Sequence, residues 1–251
     1  MDQIYSDAAV VLVWLGRLVG SEPRCRPEWT EEKRQKERER YRHSVELNGF
    51  MEADYWDRTW TVQEFVLAPR IHFFWLDRGG EVMDLIAEQV LEQIPKSQLA
   101  SSRGGARAYL VVLYDGSSQW LGKLSLLDWM LEFYSCECLD KRDRIFALMG
   151  LIRDDERRLL SIFFPDYERD HANVVVIALS ILQHLHGRPI LGQQGPEGFE
   201  DAEPASESYS EEAHGSSWAC AVLTVMGMSF HSEEDVAWWQ AAVDHFQFTI
   251  L

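Results

Sequence analysis

Residues 10–15, Val-Val-Leu-Val-Trp-Leu, form an unbroken apolar run closed by Gly16. Such a run is expected of a strand buried on both faces in a parallel sheet. Residues 70–76 repeat the signal with aromatic and β-branched side chains and predict a second strand. Asp54 is placed to cap a helix over residues 55–68, which Pro69 stops. Residues 27–47 are polar with interleaved charges and read as a solvated helix. Residues 77–80 (Asp-Arg-Gly-Gly) read as a turn, residues 81–94 as an amphipathic helix ended by Pro95, and residues 97–105 as a loop. Further helices are predicted over 106–114, 121–134, 141–151 and 170–186. Ser232-Glu233-Glu234-Asp235 looks like a helix start, followed by Trp238, Trp239, Ala242, Val243 and Phe246 at helical spacing. Strand–helix–strand–helix order predicts an α/β fold. A partial parallel sheet of few strands lies in residues 1–95, and a helix-rich second half covers 96–186.

Charge changes this picture at the C-terminal end. The chain of 251 residues carries 24 Lys and Arg against 41 Asp and Glu, a formal charge of −17. No Lys or Arg follows Arg188. Residues 187–217 are rich in Gly, Pro, Ser and Glu, cannot bury enough apolar surface to offset their ordering entropy, and read as an acidic flexible linker. Residues 218–251 return to apolar and helical patterning, so this last element must pack on the main body or on a partner. The net negative charge argues against a general nucleic-acid partner, because phosphates need a cationic footprint. The longest apolar runs fall short of the roughly 20 residues that cross a bilayer, and no secretory pattern opens the chain. The expectation is a cytoplasmic protein with reduced thiols.

Chemical motifs are few. No phosphate-cradling glycine loop and no Gly-x-Ser-x-Gly elbow is present. Cys136-x-Cys138 and His184-x-His186 are too sparse for a metal site and read as structural pairs. Most tryptophans, Trp14, Trp56, Trp60 and Trp75 among them, are expected in the core. On a helix over residues 55–68, Trp56, Trp60 and Glu64 fall at i, i+4 and i+8 and share one stripe, with Gln63 beside it. A carboxylate on a tryptophan stripe is partly desolvated, which suits acid/base or cation-stabilising work. The plainer alternative is that Glu64 pairs with Arg58 or Arg70 and orients the helix.

Three ordered blocks carry a resemblance. The first is Ile4-Tyr5, Ala8 and Val13-Trp14-Leu15-Gly16. The second is Arg58, Trp60, Gln63-Glu64, Leu67-Ala68 and Arg70. The third is Asp140, Arg142-Asp143, Ile145-Phe146-Ala147-Leu148 and Gly150-Leu151, with Pro165-Asp166-Tyr167 following. Together they resemble the fungal heterokaryon-incompatibility (HET) domain over residues 1–167. That resemblance implies a module of non-self recognition and programmed cell death. It also implies a distant relation to the TIR fold, a flavodoxin-like α/β sandwich, some members of which hydrolyse NAD with a helical Glu. Trp60-Thr61-Val62-Gln63-Glu64 is similar to their Trp-Cys-x-x-Glu pattern. It assigns Glu64 as catalytic and Arg58, Trp60 and Gln63 as binding residues, with Trp14, Gly16, Asp140, Arg142, Asp143 and Gly150 as structural motif positions. No cofactor is implied; NAD would be the substrate of a complete form.

The family pattern also has an earlier strand, with an aromatic-x-x-Leu-Ser-Tyr-x-Trp-Gly motif, and a Trp-Ile-Asp-x-x-Cys-Ile-Asn-Gln block, neither found here. A truncated domain, residues 1–186, is therefore expected, with the strand at residues 10–15 left as an exposed edge. This chain is then expected to be inactive, and a non-catalytic interaction module is the alternative. A protein partner, or self-assembly, would supply the missing neighbour.

Overall fold

The computed structural model describes residues 2–17, 30, 32, 50–76, 82–93, 105–187, 189–191, 218–229 and 232–250. The predicted polar helix over 27–47, the turn at 77–80 and most of the loop at 97–105 lie outside the described residues, as do residues 192–217 of the predicted linker. The chain divides into two compact units, Met1–Gln119 and Trp120–Leu251.

The first unit is α/β. Helix α1 (Asp2–Ser6) leads into strand β1 (Val11–Arg17). A 3₁₀ turn (Asp54–Asp57) and α2 (Thr61–Val66) precede β2 (Ile71–Leu76) and β3 (Val82–Ile86), and α3 (Ala87–Gln93) and α4 (Gly105–Asp115) follow. The sheet order is β1-β2-β3. β1 and β2 pair in parallel, with Val13 opposite Phe73 and Trp14 opposite Phe74. β3 returns antiparallel, with Phe73 opposite Leu85. The sheet is therefore mixed, and residues 82–86 are a strand where a helix over 81–94 was expected. Val82, Asp84 and Ile86 alternate in register with Leu76, Phe74 and His72, so the pairing partner decides their state.

One face of this sheet is core and the other is open. Val13, Leu15, Ile71, Phe73 and Trp75 are buried. They meet an aromatic cluster in which Phe50 lies 5.1 Å from Phe73 and Trp56 lies 5.0 Å from Tyr109, ring centre to ring centre. On the opposite face Leu12 is 64% exposed, Trp14 53% and Val82 64%. Trp14 is thus a surface residue, against the expectation that it sits in the core, because even-numbered β1 positions face away from the cluster. Trp56 and Trp75 are buried as expected, and Trp60 is half-buried.

The second unit is helical: α5 (Leu126–Glu132), α6 (Asp143–Phe146), α7 (Asp154–Leu160), α8 (His171–His186), α9 (Trp218–Val225) and α10 (Glu233–Ile250). The helices expected over 121–134 and 141–151 shrink to α5 and α6, with turns around them. α7 had no expectation. α8 is apolar over most of its surface and is capped by Asp170, whose carboxylate accepts the Asn173 N–H, and by Gly187 in the left-handed conformation. α10 starts at a reciprocal Ser232–Asp235 cap and packs on α8, where Ser180 donates to the Val243 carbonyl at 2.9 Å and Gln183 to Asp244 at 2.7 Å. The stretch expected to begin a flexible linker at 187 is anchored first. Ile190 and Leu191 are buried, and the Ile190 carbonyl accepts the Trp218 indole N–H at 3.1 Å. No helix among the described residues is long and apolar enough to cross a membrane.

Candidate functional site

The segment that sequence patterning reads as one helix is two. The chain leaves the 3₁₀ turn at Arg58, whose backbone is extended, and re-enters helix at Thr61. Thr61 holds the break: its hydroxyl donates to the Arg58 carbonyl at 2.6 Å and lies 2.6 Å from the Tyr109 hydroxyl. Trp56 therefore shares no stripe with Trp60 and Glu64. Its ring is buried among Phe50, Phe65, Phe73 and Tyr109, and its indole N–H donates to the Phe50 carbonyl. The expected desolvation of Glu64 by two tryptophans is replaced by another arrangement.

Glu64 is half-buried on α2 and meets Tyr5 of α1, whose hydroxyl donates to Glu64 Oε1 at 3.1 Å. Tyr55 stands within electrostatic reach of both, and Arg58 acts on the same group of side chains. Burial, and after it the Glu64 charge, pushes the Tyr55 phenol far above its ordinary range; Arg58 opposes the shift. Tyr5 is raised for the same reasons in the same order, its hydrogen bond to Glu64 adding to them. Among the described residues the Tyr55 hydroxyl, which is buried, has no hydrogen-bond partner, and neither has Gln63 Oε1.

The four residues expected at the site thus separate. Glu64 and Arg58 belong to one electrostatic cluster. Trp60 sits half-buried at the start of α2, and Gln63 points into the interior. Among the described residues no ion pair joins Glu64 to Arg58 or Arg70. Arg70 instead donates to the Ala9 carbonyl at 3.1 Å and ties the start of β1 to β2. Tyr5 and Tyr55 were not singled out as site residues by sequence; the Ile4-Tyr5 pair was a motif position only, and nothing local marks its contact with Glu64.

The first-unit segment that contains all of these groups up to Glu64 also carries the family signal. Residues 1–64 match the heterokaryon incompatibility protein (HET) family. No curated protein and no solved structure matched the chain. The matched segment spans α1, β1, the 3₁₀ turn and α2 as far as Glu64, so the Tyr5–Glu64 hydrogen bond links its two ends.

The third sequence block lies beyond the matched segment, in the second unit, and there it makes a latch. Arg142 grips Asp140 with two hydrogen bonds, Nε to Oδ1 at 2.9 Å and Nη2 to Oδ2 at 2.6 Å. Its Nη1 donates to the carbonyls of Tyr167 at 2.6 Å and Arg169 at 2.8 Å. Tyr167 closes the loop by donating to Asp143 Oδ1 at 2.6 Å. The Arg142 bonds hold the Asp140 carboxyl below its ordinary range. Asp140, Arg142 and Asp143 therefore hold the loop that leads into α8, while Gly150 is half-buried in the turns after α6. Of the β1 motif positions, Gly16 has φ +80° at the β-bulge between Trp14 and Arg17, a conformation that favours glycine.

Proposed function

We propose that this is a heterokaryon-incompatibility-type protein of non-self recognition and programmed cell death, with Glu64 as the residue on which its chemistry depends. The observation that carries this reading is the state of the Glu64 carboxylate. It is half-buried, oriented by the Tyr5 hydroxyl, and no cation is paired with it among the described residues. A carboxylate held in this way can stabilise the positive charge that develops on a ribose when a nicotinamide–ribose bond breaks. The C–N bond breaks, its electron pair leaves with nicotinamide, water adds to the ribose carbon, and one water proton is released. The distant TIR kinship belongs to this proposal and gives NAD as the substrate to try. The test is NAD consumption by a form of the domain that also carries the family's earlier strand, alongside growth arrest on its expression in a fungal host, because this chain by itself is expected to be inactive. Glu64→Gln should lower both, the rate by about a hundredfold or more. Growth arrest that survives Glu64→Gln, with no NAD turnover in either protein, removes the catalytic reading.

A second reading has its own observation. The open face of the β-sheet, with Leu12 and Trp14 exposed on an edge strand, suits a non-catalytic module that acts by contact with another protein. Trp14→Lys should then abolish growth arrest while Glu64→Gln leaves it intact.

A further inference from the structure

Among the described residues, strand β1 presents an unprotected edge. In β1 the odd-numbered residues face β2: the Val11 N–H donates to the Arg70 carbonyl at 2.9 Å, and the Ala9 carbonyl accepts from Arg70 Nε. Backbone direction and side-chain face both alternate along a strand, so Val10, Leu12 and Trp14 turn their N–H and C=O groups to the free edge. The same three side chains lie on the open face, 41%, 64% and 53% exposed. Edges are usually blunted by charge, proline or a central bulge. Here the bulge comes only at Gly16, after the last of the three.

The charges flanking this edge are opposite in sign. Asp7 precedes it, Arg17 ends it, both are exposed, and neither takes part in an ion pair among the described residues. A strand with an acid at one end and a base at the other is complementary to itself when turned around. In an antiparallel pair with a two-fold axis at Leu12, Leu12 meets Leu12 of the other copy and Trp14 meets Val10. Arg17 is then brought to the end where Asp7 of the other copy lies. All three outward residues of one strand fall opposite outward residues of the other, which is the condition for hydrogen-bonded pairs in an antiparallel ladder. A register one residue away sets outward residues against inward ones, and one two residues away pairs Trp14 with Leu12 but leaves Val10 facing Gly16 and Arg17 facing Ala9. A parallel pair puts like charges together.

We propose that β1 pairs antiparallel with β1 of a second copy of this chain, joining two three-stranded sheets into one of six strands across a two-fold axis at Leu12. The proposal deepens the contact reading above by naming the partner, and it is independent of the chemistry at Glu64. Two copies of charge −17 repel at long range, so the association is to be measured near 0.15 M salt, where charges beyond roughly 8 Å are screened.

Sedimentation velocity across a concentration series tests it on the whole chain. The expected result is a reversible dimer. Leu12→Lys, which sets two ammonium groups against each other on the axis, should weaken it at least tenfold. Asp7→Arg and Arg17→Asp should each weaken it, and the double reversal should restore it. These positions are exposed, so circular dichroism should show all variants folded; were Leu12→Lys to fail to fold, the charge-reversal set decides alone. A chain that stays monomeric at every concentration overturns the proposal, including one that is monomeric yet binds a different protein through β1. So does a dimer indifferent to Leu12→Lys but lost on Trp238→Ala in α10. So does a double reversal no better than the single ones, because the antiparallel arrangement requires rescue.

Discussion

The Tyr5 phenol donates to the Glu64 carboxylate at 3.1 Å across 59 positions of sequence, and so fastens α1 to α2. A part-buried hydrogen bond to a charged acceptor contributes about 1–2 kcal/mol. Tyr5→Phe and Glu64→Ala should each lower stability by at least about that amount. Because both remove the same contact, the double variant should cost less than the sum of the two, with a coupling of about 1 kcal/mol. Urea denaturation of the four proteins checks this; strict additivity would mean that the bond contributes nothing.

Glu156 is fully buried and serves another helix than its own. Its Oε2 accepts the Leu126 N–H at the start of α5 at 2.7 Å, and its Oε1 accepts from Arg153 at 2.7 Å. Burial, foremost, holds its carboxyl above the ordinary range, against the pull of these partners. Glu156→Ala leaves a buried N–H unpaired and leaves Arg153, among the described residues, with only its longer ion pair to Asp155 at 3.5 Å. The expected loss is about 3 kcal/mol, at the low end for a broken buried pair. Thermal melts of variant and parent would show it as a drop of several degrees; an unchanged melting point would mean that α5 finds another cap.

His171 sets a pH dependence. Burial, above all, lowers its pKa from the ordinary 6.5, assisted by Lys141 and Arg144 and opposed by a hydrogen bond to the Met226 backbone and by Asp140. The unfolded chain then binds a proton that the folded chain refuses. The stabilising contribution is complete above about pH 6.5 and is lost as pH falls toward the lower folded value. The urea midpoint of the parent should fall between pH 7 and pH 5. His171→Gln, which keeps a donor for Met226, should flatten part of that slope.

Arg142 works through its fork. Four hydrogen bonds run from three nitrogens to Asp140, Tyr167 and Arg169. An ammonium is a point donor and cannot reproduce that geometry. Arg142→Lys should therefore resemble Arg142→Ala, with faster limited proteolysis in residues 165–170 in both. Protection restored by Lys would show that charge alone holds the loop.

Several elements were legible because their signals are local. Asp170, Gly187 and the Ser232–Asp235 pair announce the ends of α8 and the start of α10, and the apolar runs announce β1 and β2. The third strand was not legible. Residues 81–94 satisfy helical spacing, and only pairing with β2 makes 82–86 extended. The break at Arg58–Trp60 was hidden likewise, because it is held by Thr61 together with Tyr109, 48 positions away. Of the candidate site, Glu64 was singled out by its motif, but its surroundings were not. The tryptophan stripe assumed an unbroken helix, and the residues that stand around the carboxylate, Tyr5 and Tyr55, come from other turns of the chain.

By itself the sequence determined much of what could be helix or strand, where α10 starts, that the chain is strongly acidic, and that residues 1–64 match the HET family, whereas the cap expected at Asp54 is not made. These properties rest on neighbours within a few positions, or on composition, and need no fold. Tertiary structure alone decided that Trp56 is core while Trp14 is surface, that Glu64 meets a phenol rather than a guanidinium, and that β1 forms an edge with one apolar face open. Each of these depends on which distant segment arrives to cover a side chain. That is set by the packing of the whole unit, because burial and hydrogen bonding are satisfied across space and not along the chain.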